Sequence, residues 1–207
     1  MLLDRARLKT MLLSVADIWR QNADSLSEID SRFGDGDHGV TINKIAALLA
    51  GKTEAWREDQ SIKEFIEDIG AGIMAISGGS AGPLYGTMIG GLAEALENQT
   101  EIDGPLLKKM LAASLEEMRG LTTACPGEKT MMDALIPAAE AAASAAGGPI
   151  EILAAAAEAA TDGAEKTRDM VARFGRAKSY GEQTLGCVDA GALSTALFFK
   201  GLAKALN

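Results

Sequence analysis

The chain has 207 residues, a formal net charge of −9, 47% hydrophobic residues and 24% charged residues. That balance excludes intrinsic disorder, and the acidic excess argues against a nucleic-acid or anionic-membrane partner. Two cysteines, Cys125 and Cys187, are too few for a disulfide framework or a four-cysteine metal site, and read as free thiols of a reducing compartment.

Valine occurs only at Val15, Val40, Val171 and Val188, while alanine, leucine, methionine and glutamate dominate. This is helix composition with little material for strands. The opening MLLDRARLKT carries Asp4 and lacks the continuous apolar core of a signal peptide. Leu8, Met11, Leu12, Val15, Ile18 and Trp19 recur at helical spacing and predict a first helix over 2–26. Start and stop signals then predict helices over 39–51, 60–77, 83–99, 104–119, 128–146, 149–170 and 189–206. Pro83, Pro105 and Pro149 suit first helical turns, and Pro137 should kink the sixth helix. No apolar run approaches the ~18 residues of a membrane span. The expected fold is all-α: a single-domain, up-and-down barrel or bundle of about eight antiparallel helices over residues 1–207. The expected protein is soluble and cytoplasmic, with no nucleic acid and no membrane as partner.

Four segments do not fit helices: DSRFGDGDHG (30–39), SGGSAG (77–82), TTACPGEKT (122–130) and FGRAKSYGEQTLGCVDAG (174–191). They connect helices 1–2, 3–4, 5–6 and 7–8. In an up-and-down array alternate loops share one end, so topology alone predicts that all four meet.

Several patterns fail on context. Gly34, Gly36 and Gly39 spell GxGxxG, but a helix precedes them, and Asp35 and Asp37 would repel a pyrophosphate. Gly78-x-Ser80-x-Gly82 spells a nucleophile elbow, yet the only histidine, His38, lies upstream. Gly51–Lys52–Thr53 lacks the earlier glycine of a P-loop and reads as a helix end. A calcium loop opened at Asp35 would need its glutamate at Ala46.

One constellation survives. Asp30, Asp35 and Asp37 put three carboxylates into eight residues. Carboxylates this close repel one another, and a hard divalent cation such as magnesium relieves that repulsion while leaving room for phosphates. The glycine loop offers backbone N–H groups and the Ser80 hydroxyl ahead of a helix start, a usual anion cradle. Arg176 sits in a Gly-flanked loop and can pair with phosphate, and His38 directly follows the acidic turn. Metal, anion nest and cation at one end of a bundle describe a nucleotide–magnesium site.

At this point the residues resemble a known family, the nucleotide-binding L subunit of dihydroxyacetone kinase. The matching stretches are DSRFGDGDHG (30–39), SGGSAGPLYGTM (77–88), PGEKTMMDALIPA (126–138) and GRAKSYGEQTLGCVDAGA (175–192), in matching order and spacing across almost the whole chain. The resemblance implies an eight-helix barrel that binds ADP or ATP with two magnesium ions at one end. It implies that Asp30, Asp35 and Asp37 hold the metal and that His38, Gly39, Thr41, Ser80 and Ala81 line the nucleotide. Met131 would pack near the adenine, Arg176 would contact phosphate as the catalytic residue, Asp189, Ala190 and Gly191 would close the site, and Gly120 would border it. Two departures fall on the rim: Asp189-Ala190-Gly191 stands where the family often has Asp-Pro-Gly, and the glycine loop reads Gly-Ser-Ala-Gly instead of Gly-Ala-Ser-Gly.

The implied activity is phosphoryl transfer to a small ketose held covalently on a separate K subunit. A phosphotransferase-system protein is a second implied partner in one branch of the family, and a homodimer is compatible with it. Two other readings remain: a non-catalytic nucleotide-sensing adaptor that docks a regulatory protein, and a helical barrel whose interior carries an apolar ligand.

Overall fold

The structure is a computed structural model that describes residues 1–206; Asn207, the last residue of the expected domain, lies outside them. It contains eight α-helices among the described residues: α1 (Arg5–Asp30), α2 (His38–Glu54), α3 (Ile62–Met74), α4 (Ala81–Gly90), α5 (Gly104–Leu121), α6 (Met132–Ser144), α7 (Pro149–Lys166) and α8 (Ala190–Lys204). No strand occurs among them, only one antiparallel bridge between Leu3 and Ile102. Each helix packs on its neighbour in sequence, and α8 packs on α1 as well as α7, so the ring closes.

Closure dictates the apolar pattern. α8 is buried on nearly every side, through Ala192, Ala196, Leu197, Phe198, Phe199 and Leu202, as expected for a helix without a solvent face. Phe198 stacks on Trp19 of α1 with ring centroids 5.8 Å apart. At the end near the Leu3–Ile102 bridge, the interior holds a cavity of about 50 Å³ with an apolar lining that includes Leu3, Trp56, Phe65 and Ile102.

Several predicted boundaries move, each for a local reason. α1 runs on to Asp30, four residues past its expected end, because Leu26 is fully buried and keeps that turn packed. Asp30 is therefore helical and not part of a loop. α4 ends at Gly90 and tightens into a 3₁₀ turn over Gly91–Ala95, where Gly91 lies against Ser114 and Glu117 of α5. α6 starts at Met132, later than predicted, because Lys129 has φ of 63° and cannot be helical. α7 stops at Lys166 and a 3₁₀ turn covers Thr167–Asp169. The last loop is not irregular throughout, since 3₁₀ turns occupy Arg176–Thr184 and break at Gly181. α6 continues through Pro137. That proline cannot donate to the Asp133 carbonyl one turn back, and Gly163 of α7 packs on that carbonyl so closely that a Cβ would overlap its oxygen.

Candidate functional site

The four Gly-rich connections meet at one end, as the topology predicts. Arg176 reaches from the α7–α8 loop to Asp35 in the α1–α2 turn, with Nη2 2.7 Å from Oδ2. Phe33 and Tyr180 make an edge contact between the same two segments, centroids 5.3 Å apart. Gly78 of the glycine loop lies over the Thr41 side chain, and Gly79 faces the Asp37 carboxylate. Arg173 in the α7–α8 loop donates its backbone N–H to the Glu128 carbonyl in the α5–α6 loop, at 3.1 Å.

Asp30, Asp35 and Asp37 each bring one carboxylate oxygen within 4.8 Å of the other two. The physical cost of this is visible at Asp37. Burial raises its pKa, the charges of Asp35 and Asp30 raise it further, a hydrogen bond with Asp35 adds to this, and Arg176 pulls it back. Three converging hard oxygen donors under like-charge strain suit a divalent cation such as magnesium.

Capping separates the two ends of the barrel. At the far end, Asp4, Ser61 and Asp103 cap α1, α3 and α5 with side-chain oxygens, and Glu151 closes the start of α7 on the Gly148 N–H. At the site end, α2, α4 and α6 begin at Asp37, Ser80 and Met131, whose own side chains make no cap hydrogen bond; Asp30 Oδ2 accepts from the His38 N–H at 3.4 Å and Thr130 Oγ1 from the Met132 N–H at 3.2 Å instead. The helix dipoles give partial positive charge beside the carboxylates, and the start of α4 in the glycine loop keeps its first N–H groups for a ligand, an arrangement that receives phosphate oxygens. Of the helices that start there, α8 alone is capped by its own N-cap side chain, Asp189 Oδ2 accepting from the Ala192 N–H at 2.7 Å.

The other predicted residues fall as follows. Ser80 is exposed at the start of α4, and Ala81 is buried behind it. Thr41 is buried under the glycine loop. Gly39 is buried against α1, its missing side chain facing the Ala23 carbonyl and not the site. Met131 is buried beside Gly191, with Asp189 and Ala190 at the same helix start. Gly120 lies exposed in the last turn of α5 with open space around its Cα, and the structure does not bring it into contact with the others.

His38 is held from behind. Its Nε2 lies 2.8 Å from Ser194 Oγ, and the Tyr85 hydroxyl lies 2.6 Å from the same oxygen. Tyr85 also reaches Thr195 Oγ1 at 2.9 Å, and Trp19 Nε1 donates to the Ser194 carbonyl at 2.8 Å. Burial holds the imidazole below its ordinary pKa, opposed by Asp30 and the Ala190 carbonyl. It raises the Tyr85 phenol. Both are neutral at pH 7. Sequence reasoning missed Tyr85, Ser194 and Thr195. The available signal was a pair of hydroxyls within the apolar run of α8, since buried hydroxyls need partners.

Known proteins share this sequence pattern and fold. The DAK2 domain matches residues 32–204. The ADP-binding subunit of a PEP-dependent dihydroxyacetone kinase from Listeria innocua is 34% identical over 186 residues, covering 88% of this chain and 87% of its own. The ADP-binding subunit of the PEP-dependent dihydroxyacetone kinase of Escherichia coli is 29% identical over 208 residues, covering 99% of each. The crystal structure of the C. freundii dihydroxyacetone kinase in complex with AMP-PNP and Mg2+ superposes with a TM-score of 0.73 at 26% identity, over 96% of this chain and 34% of that one. No helix among the described residues is long and apolar enough to cross a membrane. With a family match over most of its length, an all-α barrel and the acidic turn at one end of it, this chain belongs to the DAK2 domain family.

Proposed function

We propose that this chain is the nucleotide-binding subunit of a dihydroxyacetone (ketose) kinase, a phosphotransferase that acts on a ketose held by a separate K subunit. The observation that carries this reading is the convergence of Asp30, Asp35, Asp37 and Arg176 at the end where α2 and α6 start and where α4 starts uncapped from the glycine loop. In this reading the barrel works as one nucleotide–magnesium domain in the cytoplasm. Asp30, Asp35 and Asp37 would hold two magnesium ions. The backbone at His38, Gly39, Ser80 and Ala81, with Thr41, would receive the nucleotide, Met131 would face the adenine, and Asp189–Gly191 and Gly120 would border it. Bound magnesium–nucleotide supplies the phosphoryl group and the charge that neutralises its oxygens.

The chain contributes position and charge. Arg176 sits in an exposed ion pair with Asp35, worth about 1 kcal/mol or less, so it can exchange that carboxylate for a phosphate oxygen. His38 is the only histidine and is bonded to Ser194, so it is not offered to a ketose carbonyl. The covalent hold on the ketose therefore belongs to the K subunit. Because the relatives above are named as ADP-binding subunits of PEP-dependent kinases, the donor fitting this reading is a phosphotransferase-system protein that recharges retained ADP.

The deciding experiment is the nucleotide content of the purified protein, denatured after extensive washing, with and without prior chelation. About one ADP per chain should survive washing and leave on chelation. Protein that neither retains a nucleotide nor binds added ADP or ATP with magnesium would sink the reading.

A further inference from the structure

We propose that Lys129 is a positioning residue for Arg176: its buried ammonium closes the base of the 170–187 loop and so sets where Arg176 stands over the acidic turn. Lys129 is 5% exposed. Among the described residues it is the only non-glycine residue with left-handed φ, 63°. A lysine holds that conformation only where its surroundings impose it. Here Asp133 imposes it, its carboxylate accepting from the Gly127 N–H and, at 2.8 Å, from the Thr130 N–H on either side of Lys129.

The strained backbone aims the side chain inward. Lys129 Nζ donates to the carbonyls of Thr167 at 2.6 Å, Met170 at 3.3 Å and Cys187. An ammonium has three N–H donors and no more. All three are committed, so Lys129 has none left for a phosphate. Its effect must pass through what it grips. Met170 and Cys187 are the two ends of the loop that carries Arg176. Inside that loop, Thr184 Oγ1 accepts the Ala172 N–H at 3.1 Å and donates to the Gly181 carbonyl at 2.7 Å. At its base Lys129 grips both ends of the loop, alongside the Gly186 N–H donated to the Arg168 carbonyl at 2.7 Å and the Arg173 N–H donated to Glu128, and one hydroxyl ties the loop internally. Arg176 itself is exposed and reaches Asp35 across solvent, so the path of the loop decides its place.

This inference rests on the reading that Arg176 meets a nucleotide phosphate. The test is a double-mutant cycle read by calorimetry of ADP binding in excess magnesium. Lys129→Met keeps the length and removes the charge. It should weaken ADP binding about tenfold or more, as should Arg176→Gln, the loss expected for one charge-assisted hydrogen bond. In the Arg176→Gln background, Lys129→Met should add less than about twofold. A loss of the same size in both backgrounds would overturn the inference while leaving the role of Arg176 intact. Unchanged affinity in Lys129→Met would overturn it too. Wild-type affinity in Arg176→Gln would overturn the phosphate role itself, and the inference with it. Should Lys129→Met not fold, Thr184→Val loosens the same loop from inside and must give the same pattern of coupling.

Discussion

Burial pushes the Asp189 carboxyl up to about 6, although its hydrogen bond from the Ala192 N–H and the nearby Lys129 cation pull it down. In the unfolded chain an aspartate titrates near 3.9. The folded state thus binds the proton more tightly, so this group stabilises the fold below about pH 4, and the contribution is lost as pH rises through about 6. A shift of this size corresponds to roughly 3 kcal/mol at most. Asp189→Asn keeps a cap oxygen for α8 and removes the titration. Relative to the variant, the wild type should lose stability between pH 4 and 7, read from the difference in unfolding free energy at each pH. Parallel curves would show that Asp189 does not carry the proton. The residue scale also marks the limit of pattern reading. The acidic turn declares itself, because three aspartates in one turn have few uses. Lys129 does not, because a left-handed backbone and three carbonyl partners from other segments leave no trace at its position in the chain.

At the scale of elements, the acidic turn depends on how closely α1 and α2 approach. Gly39 allows this: a Cβ there would overlap the Ala23 carbonyl oxygen of α1. Gly39→Ala should cost about 3 kcal/mol, the upper range for overpacking against backbone. It should also move Asp35 and Asp37 away from Asp30, because α2 carries the second half of the turn. The expected result is a lower Tm together with weaker magnesium binding; a lower Tm with unchanged magnesium affinity would separate the packing from the site. This is also why the GxGxxG spelling has nothing to do with a dinucleotide. Its last glycine serves helix packing. The capping pattern belongs to the same scale. α4, which starts in the glycine loop, gives up a side-chain cap worth about 1 kcal/mol, and it does so at the end where an anion can replace it.

At the scale of the whole molecule, the closed ring puts every even-numbered helix start and the four Gly-rich loops on one face. Exposed Val40 and Met74 lie beside that face, and exposed Tyr180 and Leu185 lie on the Arg176 loop. Under the proposed function a phosphoryl group would leave from this end and meet its acceptor here, and these side chains would be suited to contact the K subunit. The chain alone should not phosphorylate dihydroxyacetone, and adding a K subunit together with a phosphoryl donor should restore transfer. Tyr180→Ser should weaken that pairing, read as a higher K-subunit concentration at half-maximal rate, with ADP content unchanged. Transfer by the isolated chain would refute the division of labour.

The sequence by itself determined the fold class, the number of helices, the loops that share an end and the acidic turn. Those follow from periodicity, glycine placement and charge, which are local. Its errors were local as well: the extension of α1 through Asp30, the late start of α6 and the 3₁₀ turns around Arg176 all depend on contacts made by other helices. Only the tertiary structure decided that Arg176 rests on Asp35, that His38 is backed by Ser194 and Tyr85, and that Lys129 holds the loop between them. Each joins segments far apart in the chain, and their partners are set by how the ring closes, which no single stretch of residues encodes.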